Sequence, residues 1–239
     1  MKISSIFPAY NEECNIEESV ISIIAFFKNN HINDWEVIVI NDGSTDKTRL
    51  KVEKIIKSEK RVRLINHKSN KGYGKTLRSG LLHAKLDWIF ITDSDLQFFI
   101  NDLKELITFS DKYNFIQGIR TKRDDSKSRI ILGKIYKTIV NIFFKIPVSD
   151  PECSFRLFKR NLTKGLKFYC TGPMVPIELI LNSEANNAEF KEVSVRHRLR
   201  RSGETNALSF FSFKKIMMDF FILFYNQHSK NIKTKIIAS

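Results

Sequence analysis

Trp88–Gln97 reads WIFITDSDLQ. An unbroken apolar run enters two carboxylates, Asp93 and Asp95, that stand one residue apart, with the carboxamide of Gln97 two positions on. A short, continuous apolar run that stops at turn residues is the pattern of a strand covered on both faces, hence of a largely parallel sheet. Outward from it, KISSIF (2–7), EVIVIN (36–41) and VRLIN (62–66) repeat the pattern. Helical periodicity fills the intervals near 15–29, 46–58 and 74–85. This alternation predicts an α/β fold, a mostly parallel central sheet with helices on both faces.

Turn chemistry stands where the strands end, in PAYNEE (8–13), NDGSTD (41–46), SNKGYG (69–74) and TDSD (92–95). In open α/β sheets ligands bind at the carboxyl ends of the strands, so function is expected at these loops. On an extended backbone Asp93 and Asp95 project to one side. Two carboxylates that close repel unless a proton or cation intervenes, and hard oxygen donors suit Mg2+ or Mn2+, with Gln97 adding a carbonyl oxygen. A solvated turn is the plain alternative. Asp42 is placed to accept hydrogen bonds from a base or ribose, Tyr10 and Glu12 to stack on or bond a nucleotide, and Asn11–Cys14 and Ser44–Asp46 to cap helices. Gly74-Lys75-Thr76 looks like the end of a P-loop, but that pattern needs a glycine where Ser69 stands, and the loop follows a third strand instead of opening the sheet.

The chain has 239 residues, enough for one large domain with an appendage, and a formal net charge of +14. That charge favours an anionic partner without choosing one. Cys14, Cys153 and Cys170 are too few and too scattered for a disulfide framework, so a reducing, cytoplasmic setting is expected. The N-terminus shows no secretory pattern, and the apolar stretch from Ile216 is shorter than the roughly 20 residues a membrane span needs. Lys127–Ile146 reads as an amphipathic helix with Ile131, Ile135, Ile139, Ile142 and Ile146 on one side and Lys134, Thr138, Asn141 and Lys145 on the other. Ser209–Gln227 is a second such segment, which divides the chain into a domain of 1–206 and a C-terminal helix and tail of 207–239.

PAYNEE, NDGSTD, NKGYGKTLRSGLLHA and DSDLQ, in this order and spacing, resemble the family 2 glycosyltransferases of the GT-A fold, and most closely their polyprenyl-phosphate sugar synthases, typified by dolichol-phosphate mannose synthase. GIRTKRDDSKSR, DPECSFRLFKR and HRLRRSGET resemble that branch's later signatures. The resemblance implies that Pro8, Tyr10, Glu12 and Asp42 hold the nucleotide of a GDP- or UDP-linked sugar. Asp93 would take the ribose or metal side, and Asp95 and Gln97 the Mg2+ or Mn2+ ion. It implies that Arg120, Arg129, Arg156 and either Arg200 or Arg201 handle donor or acceptor phosphate, the register of RRSG leaving the last choice open. Asp150 is left as acceptor-orienting base, helix cap or arginine partner. CSFR stands where SGFR is usual in many members, and Thr205 where serine is common.

The implied reaction is an inverting transfer to a polyprenyl phosphate at a membrane surface, with the amphipathic helices lying in the interface and room for a separate membrane-anchoring partner. A family 2 enzyme acting on a saccharide hydroxyl would share every donor-site residue but need a firm base. Nucleic-acid binding is disfavoured, because the basic residues cluster after the carboxylate motif and around RHRLRR instead of forming a stripe interleaved with aromatics.

Overall fold

A computed structural model describes residues 1–121, 127–165, 168–172, 174–200 and 215–227, with the side chains of 127–132, 134 and 135 left aside. The expected boundary at 206/207, Arg201, Thr205 and the tail after 227 lie outside the described residues, as does the side chain of Arg129.

The four expected strands form as β1 (Lys2–Ala9), β2 (Asp34–Asn41), β3 (Val62–Asn66) and β4 (Trp88–Ile91), and three more follow: β5 (Phe115–Arg120), β6 (Arg156–Lys159) and β7 (Phe190–Val195). They make one sheet in the order β3-β2-β1-β4-β6-β5-β7. β1 pairs in parallel with β2 and β4, β2 with β3, and β5 with β7. β6 alone runs antiparallel, to β4 and β5. The mostly parallel α/β fold is therefore as the sequence predicts.

Side-chain alternation divides the core between the two faces. Ile3, Phe7, Val37, Val39, Trp88 and Phe90 pack under α1 (Ile16–Asn29), α2 (Thr48–Ser58) and α4 (Leu103–Thr108). Ile6, Ile38, Ile40, Ile89 and Ile91 pack under α3 (Tyr73–His83), α5 (Lys127–Phe144) and α6 (Val175–Ala185), joined by Leu223 of the helical segment 215–227. Each fully buried Ile or Phe is worth about 1.5–3 kcal/mol, so this double-sided burial holds the sheet rigid beneath its loops.

The isoleucine stripe of α5 is divided: Ile146, just past the helix, is in the core, and the side chains of Ile131 and Ile135 lie outside the described residues. Val140 and Phe144 are buried, whereas Ile139 and Ile142 are exposed, Ile142 at 67%. Phe143 and Phe144 instead meet Phe220 of segment 215–227 edge to face. That segment is keyed to the body by Asp219, which accepts the Thr171 and Gly172 N–H groups at 3.2 and 2.7 Å. Glu178 of α6 accepts the two preceding N–H groups, Tyr169 at 2.7 Å and Cys170 at 3.0 Å, so buried acids from two elements hold four consecutive amides.

Candidate active site

The loops after β1 and β2 are laced together. Asn11 donates its N–H to Ser44 Oγ at 3.0 Å and accepts from Thr45 N–H at 2.9 Å. Glu12 N–H reaches Thr48 Oγ1 at 2.8 Å, and Glu13 N–H reaches Asp46 Oδ2 at 2.9 Å. Asp46 also accepts the Thr48 N–H at 2.9 Å, the capping role its position suggested. Gly43 has φ +71°, and a Cβ there would stand 2.4 Å from the Ser69 carbonyl carbon, so the third loop packs directly on the second.

Asp42 serves that junction. Its Oδ1 meets His67 Nδ1 at 2.6 Å and the Lys71 N–H at 2.9 Å, and its Oδ2 the Gly72 N–H at 2.8 Å. With the proton on Nδ1, His67 Nε2 accepts from the Ser79 hydroxyl at 2.8 Å. A carboxylate offers about four acceptor positions, so Asp42 has about one left for a ligand. His67 and Ser79 escaped sequence reasoning, since no local pattern marks a histidine that closes on an aspartate 25 residues away.

The carboxylates converge at the ends of β1 and β4. Ser94 Oγ donates to the Pro8 carbonyl at 2.7 Å, and Ser19 of α1 donates to the Ser94 carbonyl at 2.9 Å, which fixes the DSD turn against both elements. Asp95 Oδ1 accepts the Gln97 N–H at 3.1 Å, and Gln97 Nε2 donates to the Arg198 carbonyl at 3.1 Å, so the amide oxygen is the atom of Gln97 that could face a cation. Arg200 closes the cluster: one nitrogen donates to Glu12 Oε1 and another lies 3.7 Å from Asp95 Oδ2. Glu12 is further held by Asn15 Nδ2 at 2.8 Å.

Burial, then the negative charge of Asp93, pushes the Asp95 carboxyl up to about 7. Asp93 and Glu12 are likewise raised, first by burial, against hydrogen bonds from Ser154 and Asn15 respectively and the positive charge of nearby arginines. Burial and mutual repulsion of these three acids outweigh the charges of Arg200, Arg156 and Arg120, which lowers the cost of adding positive charge there, and hard oxygen donors are what a divalent cation requires. Among the described residues no group of three or more His, Cys, Asp or Glu side chains stands placed to hold a metal ion by itself. Asp93, Asp95 and Gln97 thus fit a cation that leaves positions for other oxygen ligands.

Arg120 and Asp150 lie at the end of β5 and in the loop before β6, paired through two hydrogen bonds of 2.8 and 2.7 Å. Burial opposes the guanidinium charge, but the bonds and charge of Asp150 prevail and raise the Arg120 pKa. Arg156 lies elsewhere than a surface phosphate contact requires. It is 1% exposed and donates through Nη2 to the carbonyls of Pro151 at 3.1 Å and Cys153 at 2.6 Å. Tyr10 is partly exposed after β1. His83 and His197 are structural, His83 meeting the Ser79 carbonyl and His197 stacking edge to face on Phe98.

A sheet in the order 3-2-1-4-6-5-7 with acids gathered at the ends of β1 and β4 defines the class of GT-A nucleotide-sugar transferase folds. Crystal structures of glucosyl-3-phosphoglycerate synthase from Mycobacterium tuberculosis share it. The complex with Mn2+, UDP and phosphoglyceric acid superposes with a TM-score of 0.72 at 20% identity, over 93% of this chain and 78% of that one. Residues 4–166 match Glycosyl transferase family 2, and the chain belongs to that family.

Among curated relatives, a dolichyl-phosphate beta-glucosyltransferase (ALG5D) of Trichomonas vaginalis is 28% identical over 216 residues, 81% of this chain and 64% of the relative. The dolichyl-phosphate beta-glucosyltransferase of Saccharomyces cerevisiae is 24% identical over 222 residues, 81% and 66% of the two chains. An undecaprenyl-phosphate 4-deoxy-4-formamido-L-arabinose transferase of Salmonella paratyphi A is 25% identical over 223 residues, 91% and 66%. The chain thus spans just under two thirds of these relatives' lengths.

Proposed function

We propose that the protein transfers a sugar from a nucleotide-diphosphate donor to a polyprenyl phosphate at a membrane surface, with inversion at the anomeric carbon. The observation that carries this reading is the Arg120–Asp150 pair. A hydroxyl acceptor needs a base, yet both oxygens of Asp150 are engaged by Arg120. A phosphate acceptor is already an anion and needs no base, only a fixed positive charge, and Asp150 holds the Arg120 guanidinium in place through Nε and Nη2.

Pro8, Tyr10, Glu12 and Asp42 line the nucleotide side, and Asp93, Asp95 and Gln97 would hold the cation. When bound, a divalent cation neutralises the departing diphosphate. Arg200 keeps Glu12 and Asp95 in place, and Arg120 and Arg129 orient the incoming phosphate. An acceptor oxygen attacks the anomeric carbon from the face opposite the diphosphate, the bond to the diphosphate oxygen breaks with its electron pair, and no covalent sugar-enzyme species forms.

Support for a lipid acceptor comes from the apolar face of α5 and segment 215–227. Phe221 and Tyr225 are 61% and 73% exposed beside Ile142, Phe143 and Met218, while no helix among the described residues is long and apolar enough to cross a membrane. Such a face suits the interface of a bilayer, and three unpaired cysteines fit its cytoplasmic side. A panel of GDP- and UDP-linked sugars incubated with polyprenyl phosphate and Mn2+ or Mg2+, then extracted into organic solvent, tests the reading. One sugar should become lipid-soluble. Transfer only to saccharide hydroxyls would overturn it.

A further inference from the structure

Asp93 has a partner that the site's sequence signature does not contain. Ser154, in the loop before β6, is buried and donates its hydroxyl to Asp93 Oδ2 at 2.6 Å. The two are 61 residues apart, joined because β6 runs antiparallel beside β4 and pairs Arg156 with Ile91. Arg156, two residues beyond Ser154, has its Nε and Nη1 buried with no acceptor among the described residues, and its charge acts on Asp93. One short segment therefore presents a hydroxyl and an under-satisfied guanidinium to the same carboxylate. In the SGFR form of this segment position 154 is a glycine, which has no hydroxyl to give; CSFR supplies one.

A carboxylate turns easily about its last torsion, which is broad and roughly two-fold. A short charge-assisted bond from Ser154 removes that freedom and, with Oδ2 engaged, leaves Oδ1 for a ligand. We infer that Ser154 is a positioning residue of the cation site, fixing the plane of the Asp93 carboxylate so that Asp93 and Asp95 receive the ion as a preset pair. The inference rests on the reading of Asp93, Asp95 and Gln97 as that site. Its chemistry is that of groups behind metal ligands in general, whose loss weakens metal affinity by about 10- to 100-fold.

The test is Mn2+ uptake followed by the free-ion EPR signal at saturating UDP, or GDP if wild type binds only that nucleotide. It is run on wild type and on Ser154→Ala, Ser154→Gly and Ser154→Thr, with thermal melts on each. The Ala and Gly variants should lose about tenfold in Mn2+ affinity while nucleotide affinity in chelator stays within about twofold. The Thr variant, which keeps the hydroxyl, should stay within about twofold of wild type, a rescue that loss of packing alone would not give. Wild-type affinity in the Ala variant, or a Thr variant as weak as Ala, would overturn the assignment. If wild type itself takes up no Mn2+ with nucleotide, the cation-site reading fails and this inference with it; if wild type binds and Ala binds equally, only the role of Ser154 fails.

Discussion

Arg120 and Asp150 meet fork to fork: Nε–H donates to Oδ2 at 2.8 Å and Nη2–H to Oδ1 at 2.7 Å. Both side chains are largely buried. Removing one partner strands the other's charge away from water. Arg120→Ala should cost about 3 kcal/mol of stability in urea unfolding, more than the paired loss in an Arg120→Ala/Asp150→Ala double variant. Arg120→Lys keeps the charge but not the fork, and should lower transfer by about tenfold or more with nucleotide affinity unchanged. Full transfer in the lysine variant would show that the fork serves stability alone.

Asp95 lies between Arg200 and the Gln97 amide and is pushed up to about 7 by burial and by Asp93. Asp95→Ala should abolish the metal-dependent part of nucleotide binding in calorimetry with Mn2+ against chelator, and transfer with it. A variant that still gains nucleotide affinity on adding Mn2+ would remove Asp95 from the cation site.

Acid sensitivity should come in part from Glu36, far from the loops. Its carboxylate accepts from Ser4 Oγ at 2.7 Å, the Lys85 N–H at 2.8 Å and Arg63 Nη1 at 2.8 Å. Burial raises its pKa, but these bonds outweigh burial and leave it below the ordinary 4.5. A depressed folded-state pKa gives stability that is fully present above the unfolded value and is lost as pH falls through the folded one. Glu36→Gln should therefore lower the melting temperature at pH 7 and flatten its decline below about pH 4.5. An unchanged slope on the acid side would count against the network.

Phe221 and Tyr225 face outward from segment 215–227, away from the four-amide lock at Asp219 and Glu178. Phe221→Glu with Tyr225→Glu should cut sedimentation with anionic vesicles several-fold and leave nucleotide affinity intact. Sedimentation equal to wild type would mean that this face does not meet the bilayer.

The elements with local signals were the ones legible in the sequence. Four apolar runs marked β1 to β4, and PAYNEE, NDGSTD, SNKGYG and DSDLQ marked the rim where Glu12, Asp93 and Asp95 gather. β6 was hidden because a four-residue strand has too little alternation to declare itself, and its antiparallel insertion depends on partners in β4 and β5. Arg156 misled because arginines are rarely fully buried, so a surface role was the natural expectation. On α5 the isoleucine spacing suggested one stripe, whose described members divide, Ile146 inward and Ile139 and Ile142 outward. What spacing cannot say is whether a stripe faces the core, and here Val140 and Phe144 take that place.

Arg200 reaches Glu12 across 188 residues, nearly the length of the chain. Loops of that span are costly to close, so such contacts come late in folding, after local helices and neighbouring strands have formed. During synthesis the carboxylates of β1 and β4 leave the ribosome well before the arginine that balances them. A nascent or truncated chain that ends before residue 200 can pair its first strands and still lack the guanidinium that bridges Glu12 and Asp95. The closing arginine thus joins late, and Glu12 and Asp95 acquire their shared guanidinium only once residue 200 has been made.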